Sequence, residues 1–183
     1  MILFMGALFV FFAFIGVYGY YTVYGKAIWA AQEKLKGDMK LGRAYLDSCY
    51  PGTWEIRDGK LYKGETLIND SHEAVDAIGN STQDTVTIFQ GNTRVATNVM
   101  KEGKRAVGTK VSPDVEEAVL KKGQSYVGVA DVVGSRNQAV YEPLKDSLGK
   151  TIGIWYVGVP DQPYKDLAFD FALKMGLIGL LGI

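Results

Sequence analysis

Four stretches between residues 84 and 159 decide the fold. They read DTVTIFQGNTRVATNV at 84–99, SYVGVADV at 125–132, RNQAVYEPL at 136–144 and TIGIWYVGV at 151–159. Each is rich in β-branched and aromatic residues, and turns that contain glycine or charged residues separate them, which is typical of antiparallel strands. The sequence therefore predicts a central antiparallel sheet, with strands at Asp84–Gln90, Thr93–Met100, Tyr126–Val133, Gln138–Leu144 and Thr151–Val159.

One helix interrupts these strands. Ser112 suits the N-cap and Pro113 the first helical position. Gly123 follows two lysines and can adopt the left-handed conformation that ends a helix. These signals predict a helix from Pro113 to Lys122. Together with the predicted antiparallel sheet, this helix indicates the α+β fold class.

The strand Thr93–Met100 carries an arginine, Arg94, whose direction depends on the register. Strict alternation places Arg94 on one face of the strand and Val95, Thr97 and Val99 on the other. If the two valines face the core, Thr97 points inward, where its hydroxyl needs a hydrogen-bond partner. Arg94 then points outward unless a bulge turns it.

Helices and a hairpin come before the sheet. Lys26–Ser48 has an apolar stripe at three-to-four-residue spacing and a charged opposite face, which predicts an amphipathic helix that packs on the sheet or on a partner subunit. Pro51-Gly52 ends it. Asp58-Gly59 between WEIR and KLYK predicts a two-residue hairpin, and a capped short helix follows at Ser71–Ile78. The stripe comprises Ile28, Ala31, Leu35, Met39, Ala44 and Tyr45.

Both ends of the chain are apolar. Met1–Tyr24 has no charge and is long enough as a helix to cross a hydrocarbon core of ~30 Å. We interpret it as a transmembrane helix rather than a cleaved signal peptide, because it lacks a basic n-region and an A-x-A site. Asp166–Ile183 becomes more apolar toward its end and fits the start of a truncated second transmembrane helix, with an amphipathic helix on the membrane surface as the alternative.

Composition excludes several classes of function. Lys and Arg total 20 and Asp and Glu total 20, so no net field attracts nucleic acid. Cys49 and His72 are the only residues of their types, which argues against a zinc site, an intrachain disulfide or a Ser-His-Asp triad. We therefore expect no metal, no cofactor and no catalysis. As an enzyme the chain would depend on Asp84, Asp131 or Glu142, whose spacing selects no reaction.

The layout of helix, hairpin, helix and a strand-rich half between two membrane segments resembles the single Cache domain, a PAS-like extracytoplasmic sensor of bacterial methyl-accepting chemoreceptors and sensor kinases. The strand pair in FQGNTRVATNV, the unit GTKVSPDVEEAVLKKGQSYVGVADV and the closing YEPLKDSLGKTIGIWYVGV carry this resemblance. It implies a PAS-like Cache fold with a long N-terminal helix packed on a central antiparallel sheet and flanked by transmembrane helices. The expected organisation is a transmembrane helix at 1–25, a ligand-binding domain at 26–165 and the start of a second transmembrane helix at 166–183.

The resemblance also implies a pocket for a small carboxylate or amino acid. By chemistry, a guanidinium could hold a carboxylate bidentately, and hydroxyls could orient it. Relatives that recognise citrate have a histidine three residues after the arginine, where Thr97 stands here, and this disfavours a tricarboxylate. The predicted ligand-binding residues are Arg94, Thr97, Arg105, Thr109, Tyr126 and Tyr141.

The expected function is sensing without catalysis, in the inner membrane, by a homodimer whose sensor domain is extracytoplasmic and whose cytoplasmic signalling domain is missing from this chain. The output could be that of a chemoreceptor or of a histidine kinase. An assembly module anchored in the membrane, which binds no small molecule, is the other alternative.

Overall fold

The computed structural model describes the backbone of residues 2–181 and the side chains of residues 6–8 and 10–178. The contacts divide the chain into two units: Gln32–Pro160 forms one, and the residues up to Ala31 together with those from Asp161 onward form the other. The elements in chain order are α1 Ile2–Cys49, β1 Trp54–Arg57, β2 Lys60–Lys63, β3 Thr66–Leu67, α2 Glu73–Thr82, β4 Thr85–Gln90, β5 Thr93–Thr97, β6 Met100–Lys101, β7 Lys104–Arg105, α3 Pro113–Val115, a π-helical segment Glu116–Lys121, β8 Tyr126–Val132, β9 Ser135–Lys145, β10 Thr151–Pro160 and α4 Gln162–Leu181.

A five-stranded antiparallel sheet is the centre of the larger unit, in the order β5-β4-β10-β9-β8. The α+β class and the antiparallel sheet are thus confirmed. The predicted hairpin is also present as β1 and β2, with positive φ at Asp58 and Gly59, as a type I′ turn requires. The third strand, β3, extends this hairpin into a separate small sheet.

One face of the five-stranded sheet, which we call the helix face, packs against α1 and α2. Leu35, Met39 and Leu46 of α1 are buried in one cluster with Trp155 of β10, whose indole N–H donates to the carbonyl of Met39 at 3.3 Å. The predicted stripe was wrong at its end, since Ala44 and Tyr45 are exposed. The stripe continues through Gly42 and Leu46 instead, which keeps the three-to-four-residue spacing.

Close packing explains the glycine at position 42. A Cβ atom at this position would lie 2.7 Å from Cζ2 of Trp155 and 3.3 Å from Cγ2 of Ile78. Glycine costs a helix about 1 kcal/mol relative to alanine, but here it lets α1 approach both the sheet and α2. The helix therefore tolerates a poor helix former where close packing demands one.

The opposite face, which we call the arginine face, is the side of the sheet toward which Arg94, Phe89, Tyr141 and Tyr156 point. Val111 and the helical connection before β8 cover it, with Val115 and Val119 fully buried in the same cluster as Phe89 and the two tyrosines. The predicted helix at 113–122 is present, but only its first three residues are α-helical and Glu116–Lys121 is a π-helix.

A β-bulge decides where Arg94 points. Ile88 of β4 pairs with Ala96 of β5, and the next residue, Phe89, pairs with Arg94, so that Val95 is an extra residue in the strand. Thr97 pairs with Thr87, two residues before Phe89 on β4. Arg94 and Thr97 consequently lie on the same face, and strict alternation, which separated them, was wrong for this strand.

The smaller unit consists of the first part of α1 and of α4. Gly16 and Gly19 allow a close approach, since a Cβ atom on Gly19 would lie 2.7 Å from a ring carbon of Phe171. The hydroxyl of Tyr24 contacts both carboxylate oxygens of Asp161, at 2.9 and 3.2 Å. Among the residues that the structure describes, α1 is the one helix long and apolar enough to cross a membrane, with a mean hydropathy of 1.7 in the window within Gly6–Cys49. The second transmembrane helix and the domain boundaries stay predictions.

Candidate functional site

Arg94 is held rigidly at the centre of the candidate site. Its side chain is 1% exposed, and its backbone N–H and C=O bond to the carbonyl of Thr109 and the N–H of Gly108, each at 2.9 Å. One terminal nitrogen, Nη1, donates to Oγ1 of Thr109 at 2.8 Å and to the carbonyl of Lys110 at 3.3 Å. The guanidinium carbon lies 4.9 Å from the ring centroid of Phe89. The loop at 108–110 therefore fixes both the backbone and the side chain of Arg94.

The rest of this guanidinium has no partner. Nε and Nη2 are buried and make no hydrogen bond, and no carboxylate pairs with Arg94 within the part of the chain that the structure describes. Burial lowers the pKa of Arg94, and the nearby hydroxyls of Tyr141 and Tyr156 and the carboxylate of Asp131 offset this only in part. A buried, unpaired cation costs a fold several kcal/mol. Two donors and one charge are thus available to an anionic group.

Tyr141 brings a second unpartnered polar atom to the arginine face. The residue is fully buried, and its hydroxyl has no hydrogen-bond partner. Its ring lies 4.7 Å from that of Tyr156, 6.0 Å from that of Tyr126 and 6.5 Å from that of Phe89, between centroids. Burial raises the pKa of Tyr141, so the hydroxyl stays protonated. It can both donate and accept a hydrogen bond.

The hydroxyls of the neighbouring tyrosines already have partners. Tyr126 donates to the carbonyl of Val129 at 2.6 Å. Oη of Tyr156 lies 2.8 Å from Oγ1 of Thr85 and 3.3 Å from Nδ2 of Asn137. Asn137 is 3% exposed, and its Oδ1 atom has no partner. Tyr126 and Tyr156 are therefore positioned as ring surfaces, whereas Tyr141 and Asn137 offer free polar atoms.

Thr97 lies on the arginine face, but its hydroxyl is fully used. Oγ1 contacts Oγ1 of Thr87 at 2.6 Å and the carbonyl of Val86 at 3.2 Å, and it accepts from the N–H of Val99 at 3.0 Å. The partner that a buried hydroxyl requires is thus supplied by the protein itself. The hydroxyl of Thr97 therefore stabilises the end of β5 and is not free to bind a ligand.

Arg105 is engaged elsewhere. Its two terminal nitrogens donate to the two carboxylate oxygens of Asp76 at 2.7 and 2.8 Å, and one of them also donates to the carbonyl of Thr97 at 2.7 Å. The side chain is 34% exposed. The bidentate geometry expected toward a ligand is therefore formed with a carboxylate of α2, and Arg105 is not among the groups around Arg94.

The family follows from a comparison with known families. A model of single Cache domain 3 matches residues 66–170, which are 105 of the 183 residues. The chain belongs to this family. The matched range contains all six predicted ligand-binding residues, and it makes the protein a member of a sensor-domain family.

The solved structures that match this chain are distant. The DcuS sensor domain of E. coli is 17% identical over 52% of this chain and 69% of that chain, with a TM-score of 0.41. The GAF domain of CodY from Clostridium difficile is 14% identical over 62% and 86%, with a TM-score of 0.37. The ligand-binding domain of the Campylobacter jejuni chemoreceptor Tlp3, in complex with L-valine, is 14% identical over 82% and 66%, with a TM-score of 0.42. A search of curated protein sequences finds no match.

Sequence reasoning missed Asn137, Tyr156 and Phe89 of this Cache domain. Asn137, Ala139 and Tyr141 alternate along β9, so the strand pattern that indicated Tyr141 also places Asn137 on the same face. Phe89 lies opposite Arg94 only because of the bulge. No property of the sequence around Val95 indicates that bulge.

The acidic residues considered for catalysis do not converge. Glu142 pairs with Arg43 of α1 at 2.9 Å, and Asp84 pairs with Lys34 at 2.8 Å. Asp131 accepts from the backbone of Gly134 at 2.9 Å. Among the described residues of the Cache domain, no group of three His, Cys, Asp or Glu side chains could hold a metal ion.

Proposed function

We propose that this Cache domain senses a small carboxylate or amino acid, which it binds through Arg94. The buried guanidinium with two unpartnered nitrogens carries the proposal. An anionic group would neutralise the charge and accept one N–H from each of the two unpartnered nitrogens, in the bidentate geometry that arginine favours. Thr109 holds Arg94 in place, Tyr141 supplies a hydroxyl, and the rings of Phe89, Tyr126 and Tyr156 form an apolar wall.

Two of the predicted ligand-binding residues take indirect roles in this proposal. Thr97 fixes the end of β5 through its hydroxyl. Arg105 ties the same strand end to α2, since it bonds both Asp76 and the carbonyl of Thr97. Neither contacts the ligand directly, and Arg94 is held instead by the loop at 108–110.

The signal would travel through β10 to α1. Tyr156 faces the arginine face and its neighbour Trp155 faces α1, so a shift of β10 on ligand binding reaches Met39 through the indole N–H. Because α1 is one continuous helix from Ile2 to Cys49, it can carry a displacement along its length. Ligand binding would select one of two arrangements of strand and helix by its differential affinity for them.

The setting that we propose is the inner membrane, with the Cache domain on the extracytoplasmic side and α1 as an anchor. A homodimer of a chemoreceptor would place two copies of α1 side by side and would relay the signal to a cytoplasmic signalling domain. The proposal includes no catalytic step, no cofactor and no nucleic acid.

The test compares two arginine variants in the full chain, purified in detergent micelles. Thermal unfolding is followed with and without propionate, succinate, citrate and amino acids, each at up to 20 mM, for the wild type, Arg94→Met and Arg105→Met. A ligand at a hundred times its dissociation constant stabilises by about 2.7 kcal/mol. We expect at least one compound to raise the wild-type midpoint and Arg94→Met to abolish that rise.

The unliganded variants supply an internal control. Arg94→Met removes a buried charge that has no carboxylate partner but also the bonds from Nη1 to Thr109 and Lys110, and since these effects oppose each other its unliganded midpoint should stay close to that of the wild type. Arg105→Met loses a half-exposed ion pair and one hydrogen bond, which together contribute about 1–2 kcal/mol, yet it should retain the ligand response. If no compound shifts the wild type, or if Arg94→Met responds like the wild type, the sensor proposal fails and an assembly module is favoured.

A further inference from the structure

Four buried polar atoms on the arginine face have no partner: Nε and Nη2 of Arg94, Oη of Tyr141 and Oδ1 of Asn137. Buried polar atoms are almost always hydrogen-bonded in folded proteins, and each exception calls for an explanation. All four point to one face of one sheet, because Arg94 pairs with Phe89, and because Asn137 and Tyr141 alternate along β9. A single occupant of this face could satisfy them together.

The hydrogen-bond network fixes the direction of the Asn137 amide. Oγ1 of Thr85 donates to the carbonyl of Gly158 at 2.8 Å, so its only hydrogen is used. The hydroxyl of Tyr156 must then donate to Thr85, at 2.8 Å, and it accepts from Nδ2 of Asn137 at 3.3 Å. Oδ1 is therefore the atom that remains free, and it is an acceptor only.

Among the four free atoms, only those of Arg94 belong to a charged group. Arg94 offers one positive charge, and Arg105, the other arginine predicted to bind the ligand, is committed to Asp76. A second carboxylate on a ligand would find an acceptor, Oδ1 of Asn137, and one hydroxyl, but no second cation among the atoms left free. A ligand group that donates, by contrast, would satisfy Oδ1 and leave no buried acceptor unpaired.

We infer that the ligand is a monocarboxylate with an amino or hydroxyl substituent, whose carboxylate binds Arg94 and whose N–H or O–H donates to Oδ1 of Asn137. The carbon chain lies against the rings of Tyr141 and Tyr156, since Tyr156 packs on Tyr141 and reaches Asn137 with its hydroxyl. Asn137 is then the residue that selects this class over unsubstituted acids and dicarboxylates. The inference rests on the proposed function, because it specifies the ligand of the same site.

Matched ligand sets test the inference on the full wild-type chain in detergent micelles. Isothermal titration would compare propionate with L-lactate and L-alanine, butyrate with 4-hydroxybutyrate and 4-aminobutyrate, and both sets with succinate. The two chain lengths vary the separation between the carboxylate and the donor. In one of the sets we expect a substituted acid to bind about tenfold tighter than its unsubstituted parent and than succinate, as a buried acceptor that gains or lacks a partner implies.

An Asn137→Leu variant isolates the residue responsible, with Asn80→Leu on the exposed end of α2 as the matched control. Asn137→Leu should bring the ratio between substituted and parent acid close to one, whereas Asn80→Leu should preserve it. If parent acids or succinate bind the wild type as tightly, and Arg94→Met abolishes that binding, the inference is wrong while the proposed function stands. If Asn137→Leu does not fold, the affinity ratio between substituted and parent acid in the wild type is the test of the inference. A wild type that binds no carboxylate overturns both.

Discussion

The two faces of the five-stranded sheet differ in whether their buried polar atoms have hydrogen-bond partners. On the side of α1, Glu142 pairs with Arg43, Gln138 with Gln32 at 2.9 Å, and Asp84 with Lys34 through Oδ1, so that only Oδ2 of Asp84 is left free there. On the arginine face a guanidinium, a phenol and an amide are buried with free polar atoms. The same strands supply both faces, so the difference lies in what covers them. On the side of α1 the chain itself supplies the partners, whereas on the arginine face the free atoms are those that the proposed ligand would satisfy.

This contrast indicates a division of labour. Local violations of packing and hydrogen-bonding rules tend to mark functional sites, since a protein retains their cost only for a gain elsewhere. The side that meets α1 follows the rules except at Oδ2 of Asp84 and should determine stability and the transmission of a signal. The arginine face breaks them and should determine binding. Substitutions on the two faces are therefore expected to separate stability from ligand response.

Truncation of the largest buried side chain of the helix face should have the largest effect. Trp155 is 1% exposed and contacts α1. Trp155→Ala should cost about 3–5 kcal/mol in the free energy of unfolding, because it removes a buried aromatic side chain and leaves a cavity. Urea unfolding of the full chain followed by circular dichroism measures it, with Leu148→Ala, 91% exposed in a turn, as a control within about 0.5 kcal/mol of the wild type.

A substitution on the arginine face, Tyr141→Phe, is the comparison for Trp155→Ala. Tyr141→Phe removes a buried hydroxyl that has no partner and leaves the ring in place. Its free energy of unfolding should equal or exceed that of the wild type, since no hydrogen bond is lost and a desolvated polar atom disappears. A loss of more than about 1 kcal/mol in Tyr141→Phe would break the contrast between the faces, because it would mean that the hydroxyl is already satisfied.

Two glycines of α1 should respond in opposite directions to the same change. Nothing lies within 4 Å of a Cβ atom at Gly37, so Gly37→Ala should stabilise by about 1 kcal/mol through helix propensity. Gly42→Ala gains the same propensity but forces the Trp155 ring to move, and overpacking typically costs about 1–3 kcal/mol. We expect a net loss of about 1 kcal/mol, measured as in the Trp155 experiment. Equal effects at both positions would show that α1 does not pack closely on this face.

Regular periodicity made the helix face predictable. Three-to-four-residue spacing in α1 and two-residue alternation in β4, β9 and β10 place the core residues without knowledge of tertiary contacts. The error at Ala44 and Tyr45 arose because Gly42 has no side chain by which a hydrophobic pattern could detect it. A buried glycine is recognised only through its neighbours, here Trp155 and Ile78.

The candidate site was predictable in its residue types but not in its arrangement. Arg94, Thr109 and Tyr141 were identified from the sequence, and all three lie together. The bulge at Val95 and the capture of Arg105 by Asp76 of α2 depend on pairings between distant segments. Such pairings are set by tertiary packing, which a one-dimensional pattern does not contain. The hydroxyl of Thr97 likewise appears available until its three partners are known.

The smallest expected effect concerns His72, which stands where α2 meets the end of β5. Its Nδ1 atom accepts from the backbone N–H of Thr97 at 3.3 Å, so this bond requires a neutral imidazole. Burial and the charge of Arg105 lower the pKa of His72 below its usual value, and Asp76 and Asp70 oppose this only in part. The unfolded chain therefore binds a proton more readily than the folded one, and the folded state loses stability as pH falls below about 6.5.

The variant His72→Gln retains a side-chain acceptor but does not titrate. The difference in thermal midpoint, wild type minus His72→Gln, should be constant above about pH 7 and should fall between about pH 6.5 and pH 5. A difference that stays constant or rises as the pH falls would mean that protonated His72 is accommodated beside Asp76, and that the end of β5 does not depend on this bond.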